Sequence, residues 1–130
     1  MACLDTNCLL RWFLDDIPEQ RQRVDALLTG QETLAVDDAV IIEAIFALES
    51  GAKLTRLTIR GFIDAIAVQP VVMDRSLWSQ VLDVWVEHPK LSAVDVYLGV
   101  KARINQIEPL YTFDAKMINQ LAGAVAVPPV

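Results

Sequence analysis

The sequence predicts a three-layer α/β/α domain with a short-stranded, mainly parallel central sheet. Three observations carry this expectation. Short apolar runs alternate with segments of helical length and spacing, as parallel β-α units require. No internal repeat, low-complexity tract or linker interrupts the alternation. An aspartate also stands just past the first apolar run and just past the fourth, as Asp5 and Asp114. Ligands of open α/β sheets lie outside the C-terminal ends of the strands, so both carboxylates are expected to project toward that edge.

The elements follow in order. Ala2–Leu4 reads as a first strand and LLRWFL as a helical turn or two. Pro18 stands near the start of the next helix, whose face is Val24, Leu27 and Leu28 and whose stop signal is Gly30. TLAV is a second strand. Asp37 N-caps a helix reaching Glu49 and closed by Gly51. Ile59, Phe62, Ile63 and Ile66 form the stripe of an amphipathic helix that ends at Gln69-Pro70. VVM at Val71–Met73 is a third strand, followed by a helix with Leu77, Val81 and Trp85 on one face and a break at Pro89. Leu91–Ile104 is helical, Pro109–Tyr111 a fourth strand, AKMINQL a helix and AVAV a last strand.

A length of 130 residues corresponds to about one domain, spanning residues 1–130. A hydrophobic content of 54% argues against disorder. No apolar run approaches the roughly 18 residues of a membrane span. The start MACLDTN lacks a basic region followed by an apolar one, so a soluble, cytoplasmic protein with no membrane partner is expected. Cys3 and Cys8 are too few for a disulfide framework and read as reduced core thiols. Trp12, Phe13, Trp78 and Trp85 read as core or subunit contacts, and His88, before Pro89, as part of a surface turn.

The formal charge of -6, from 17 acidic and 11 basic residues, opposes a generic polyanion-binding surface. A carboxylate cluster holding a divalent cation would produce the same imbalance and reverse the local field. Four acids stand out by context. Asp5 and Asp114 stand at strand ends. Glu43 is the one charged side chain between Ala39 and Leu48, and Asp95 the one between Leu91 and Val100. A charge in apolar surroundings is costly unless it is paired, hydrogen-bonded or bound to a cation. Each also has a local structural reading. Asp5 and Asp114 can cap the helices that follow them, Ser92 and Asp95 fit a capping box, and Glu43 can sit on a solvent edge.

The motifs LDTN at Leu4–Asn7, the lone Glu43, S-x-x-D at Ser92–Asp95 and T-F-D at Thr112–Asp114 occur in an order and spacing that resemble the PIN-domain family. The likeness is strongest to the toxin ribonucleases of VapBC-type toxin–antitoxin pairs and covers the chain from residue 3 to about residue 127. The resemblance implies a PIN-like fold in which Asp5, Glu43, Asp95 and Asp114 gather around Mg²⁺ or Mn²⁺. Hard divalent cations take such oxygen ligands. It further implies a metal-dependent endoribonuclease, with Asp5 and Asp95 as the most direct ligands and Asn7 and Thr112 orienting ligands or water. An RNA substrate, a cognate antitoxin protein and a homodimer are the implied partners. Arg11 and Lys116, just past the two strand ends, are the better candidates for RNA contact.

Departures from the pattern are Asp37 and Asp38 near the expected pocket mouth and a less similar stretch from Glu49 to Gly61. The alternative within the same fold is a catalytically inactive PIN-like module that binds protein or RNA. A phosphatase of the haloacid-dehalogenase type needs a second aspartate where Asn7 stands. A receiver domain needs a strand-end lysine that does not follow Asp74. No phosphate-binding glycine motif is present.

Overall fold

In the computed structural model, which describes residues 1–130, the apolar runs become strands of only two or three residues. β1 (Ala2–Cys3), β2 (Leu34–Ala35) and β3 (Val71–Val72) form one parallel sheet in that order, with Ala2 opposite Leu34 and Leu34 opposite Val71. The ladder runs slightly past the strands: Leu4 N–H donates to Ala35 O at 3.0 Å and Val36 N–H to Val72 O at 2.9 Å. Leu34 and Val71 within the strands, and Leu4 and Val36 just past their C-terminal ends, are buried and anchor the sheet.

Four helices belong to this part of the chain: α1 (Thr6–Leu14), α2 (Pro18–Leu28), α3 (Asp38–Phe46) and α4 (Arg56–Ala67). α1 turns Leu9, Leu10, Trp12 and Phe13 inward. α2 is pinned to it. Trp12 Nε1 donates to Asp25 Oδ1 at 2.7 Å, and Arg21 donates to Trp12 O at 2.7 Å while its guanidinium lies 4.9 Å from the centre of the Trp12 ring. In α4 the expected stripe buries Ile59, Ile63 and Ile66, while Phe62 stacks on Phe13 with ring centres 5.2 Å apart.

The helix expected from Asp37 to Glu49 differs. α3 ends at Phe46 and the chain widens into a π turn at Ala47–Gly51, where Ala52 N–H reaches Ala47 O at 3.0 Å. Ser50 and Gly51 are weak helix formers, and the left-handed residue that completes the exit is Lys53, at φ 58°, rather than Gly51.

The rest of the chain consists of α5 (Arg75–Glu87), α6 (Ala93–Ile104), β4 (Leu110–Thr112), α7 (Ala115–Gln120) and β5 (Ala124–Ala126). α5 packs on α6, and the Trp78 and Tyr97 rings stack at 5.5 Å. β4 and β5 pair in parallel, Thr112 opposite Ala126. Contacts divide the molecule into two compact units, Met1–Asp74 and Arg75–Val130. The first holds the three-stranded sheet and the second the two-stranded one.

Seven α-helices with short parallel strands bear out the expected α/β class. The aromatic residues expected in the core, Trp12, Phe13, Trp78 and Trp85, are buried. The cysteines are free, but neither is a core thiol: Cys3 is exposed and Cys8 half-buried. Cys3 alternates with buried Leu4 along the strand, and Cys8 lies off the apolar face of α1. No helix is long and apolar enough to cross a membrane.

Gly123, at φ 83°, makes the turn into β5, and its carbonyl accepts from Leu110 N–H at 2.9 Å. A Cβ there would run into the Glu108 carboxylate as well as forcing a side chain into a left-handed backbone. Gly123→Ala is therefore expected to destabilise the fold by about 1–2 kcal/mol, read as a lower midpoint in urea unfolding.

Candidate active site

Two-residue strands leave almost no chain between ladder and helix, so the first helical N–H groups need a local acceptor. Asp5 supplies it. Its backbone is still extended, and its Oδ1 accepts from Cys8 N–H at 3.0 Å, capping α1. That amide, with the Cys8 thiol, holds the Asp5 carboxyl below the usual carboxylate range. Burial and the adjoining Asp5 carboxylate push the Cys8 thiol up.

α3 packs against α1 and brings Glu43 to the same place. The Thr6 hydroxyl donates to Glu43 Oε2 at 2.6 Å, a bond between residues 37 apart in sequence. Asp5, Thr6, Asn7, Glu43 and Phe46 line a cavity of about 450 Å³. Asp5 and Asn7 also line a second cavity of about 330 Å³ with Cys8, Arg11, Gln20 and Arg23. Arg11 pairs with Asp16 at 2.9 Å. Of the two acids expected near the pocket mouth, Asp37 caps α3 by accepting from Ala39 N–H at 2.9 Å.

In the second unit Asp95 closes a capping box at the start of α6. Its N–H donates to Ser92 Oγ at 3.2 Å, and its Oδ2 accepts from Ser92 N–H at 3.3 Å. Asp114 caps α7 through Lys116 N–H at 2.8 Å, while Thr112 Oγ1 accepts from Asp114 N–H at 3.0 Å. Thr112 thus positions the backbone that carries Asp114. The Lys116 side chain is exposed.

The apolar confinement expected around the four acids is not found. No charged residue is buried; Asp5 and Glu43 are exposed, and Asp95 and Asp114 are half-buried. Their charges are met by hydrogen bonds and by exposure at the surface, since the apolar helix faces turn inward and leave the carboxylates at helix starts and rims. The first unit brings Asp5, Asn7 and Glu43 together at one cavity, and the second joins Thr112 to Asp114. Within neither unit do three His, Cys, Asp or Glu side chains form a metal-holding group. Sequence reasoning passed over Thr6, Gln20 and Arg23. A hydroxyl directly beside the strand-end aspartate was the available signal for Thr6; Gln20 and Arg23 reach the site only through the packing of α2 on α1.

Short parallel strands feeding straight into carboxylate-capped helices define an α/β protein whose candidate site is built from hard oxygen donors. A family model for the PIN domain matches residues 2–123, and the chain belongs to the PIN-domain family. No curated protein matches it, and no solved structure does. PIN domains are generally nucleases, hydrolases that typically use divalent metal ions. The residues of the first unit fit such an ion. Asp5, Asn7 and Glu43 offer carboxylate and amide oxygens around an open cavity with room for the waters that Mg²⁺ keeps.

Because the folded Asp5 carboxyl titrates below its unfolded value, the unfolded chain binds more protons in that range. Its contribution to stability is full above about pH 4 and is lost as pH falls through the folded value. Asp5→Asn keeps a cap of equal quality. Urea unfolding in EDTA between pH 6 and pH 3 is expected to show wild type losing stability more steeply than Asp5→Asn.

Proposed function

We propose that the chain is a metal-dependent endoribonuclease, the toxin of a VapBC-type pair, acting as a single domain in the cytoplasm. The observation that supports this best is the convergence of Asp5 and Glu43 on one open cavity, with Thr6 bonded to Glu43 at 2.6 Å. In this reading Asp5 and Glu43 of the first unit and Asp95 and Asp114 of the second are the ligands of Mg²⁺ or Mn²⁺. Such an ion, when bound, supplies an acidified water and charge stabilisation on the leaving oxygen.

The chain's own residues do the positioning. Asp5, Asp95 and Asp114 each commit one oxygen to a backbone N–H, which restrains the carboxylate and leaves the other oxygen out of that bond. Thr6 holds Glu43 in the same way, and Thr112 steadies the turn before α7. Asn7 orients a ligand or water at the cavity wall. No side-chain nucleophile is needed. Lys116, which is exposed, and Arg11, which lines the cavity with Asp5 and Asn7, are the RNA contacts of this reading. The substrate is presented as single-stranded RNA, whose bases and backbone are open to a cleft of this kind. Exposed apolar side chains such as Leu57 and Val68 support a homodimer and an antitoxin partner.

Asp95→Asn is expected to keep the fold while lowering RNA cleavage by more than the roughly 10- to 100-fold that loss of an outer partner costs a metal site. Calorimetric titration with Mn²⁺ should show binding to wild type and none to Asp5→Asn or Asp114→Asn. Full cleavage by Asp95→Asn, or cleavage by wild type unaffected by EDTA, would overturn the reading.

A further inference from the structure

The cavity of about 330 Å³ between α1 and α2 is not accounted for by the ligand set, although it shares Asp5 and Asn7 with the acidic cavity. Its α2 wall carries Gln20, Arg23, Val24 and Leu27, spaced as one helix face. Arg23 is the distinctive residue of that wall. Every other cation in the first unit's side chains is engaged locally. Arg11, Arg21, Arg56 and Arg60 pair with Asp16, Asp25, Glu49 and Asp64, and Lys53 donates to Ser50 O. Arg23 is exposed and makes no ion pair, even though Glu19 stands one turn before it on the same helix.

The wall is also held in place. Trp12 bonds Asp25 at 2.7 Å and Arg21 bonds Trp12 O at 2.7 Å, so the residues on either side of Arg23 are clamped to α1 while Arg23 itself is left to the groove. In a chain of formal charge -6, an unengaged guanidinium beside the strand-end carboxylate marks a place for an anion next to the reacting centre. Gln20 adds an amide donor on the same face.

Resting on the nuclease reading above, we propose that the α1–α2 groove is a subsite for the RNA backbone, in which Arg23 and Gln20 bind a phosphate neighbouring the scissile one. Arg23 donates as a planar fork to the phosphate oxygens, and the apolar wall of Val24 and Leu27 lies against the adjoining sugar. Asp5 opposes this anion while its charge is uncompensated, so neutralising Asp5 strengthens binding in the groove.

The test uses fluorescence anisotropy of a labelled, unstructured oligouridine in EDTA, with the Asp5→Asn protein as a non-cleaving parent. Adding Arg23→Gln should weaken binding roughly 3- to 10-fold and reduce the slope of log affinity against log salt by about 0.7. Arg23→Lys should restore most of that slope, and the charge-matched Arg60→Gln should leave it unchanged. Unchanged affinity and slope in Arg23→Gln, while wild type cleaves RNA, would sink this inference and spare the nuclease reading. Absence of both RNA binding by the parent and cleavage by wild type would sink both. If Arg23→Gln lost only affinity for polyglutamate and kept its affinity for RNA, the groove would belong to an acidic protein segment and the subsite would be refuted.

Discussion

The rest of the structure depends on how a helix is started almost directly from a strand of two or three residues. The first turn of every helix presents N–H groups with no internal partner, and here there is no loop to hide them or supply acceptors. Asp5, Asp37 and Asp114 each meet the need with one carboxylate oxygen. An oxygen bonded in this way restrains the side-chain torsion and leaves the second oxygen out of the cap. Asp5 also lines the cavity shared with Glu43. Capping by one oxygen therefore leaves the other available for the proposed ligand role. The structural and functional readings of these aspartates are complementary rather than exclusive.

The same logic explains why Glu43 and Asp5 meet although they belong to different helices. Glu43 is not at a helix start and has no backbone amide to hold it. Its position comes from α1 packing on α3, and the Thr6 hydroxyl converts that packing into a directed bond. A neutral hydroxyl can hold a carboxylate without cancelling its charge, whereas a lysine at that place would neutralise it. The first unit follows a similar division elsewhere. Its acids outside the cavity largely absorb its arginines, and the pair at the cavity is left with negative charge.

Much of the fold was legible because its signals are local. Pro18 at the head of α2, the Ile59-Ile63-Ile66 stripe, the Ser92–Asp95 capping box and the alternation of short runs with helices all depend on neighbours a few residues away. The exit from α3 was less legible. A wide turn and a left-handed Lys53 follow from how Leu48 is buried and how the chain must re-enter α4, and Gly51 was the more obvious stop. The cysteines misled for a similar reason. Residue type favours burial, but strand alternation and the rotation of α1 decide which side chain turns inward.

For the candidate site, the sequence by itself determined which residues stand at strand ends and helix starts, because backbone dihedrals and capping chemistry are set within three or four residues. It thereby singled out Asp5, Asp95 and Asp114 and the hydroxyls of Ser92 and Thr112 that serve them. Only the tertiary structure decided that Thr6 bonds Glu43, that the acids are exposed or half-buried instead of buried, and that Arg23 shares a groove with Asp5. Those outcomes rest on the packing of α3 and α2 against α1. That packing joins residues well separated in sequence, and no local spacing encodes it.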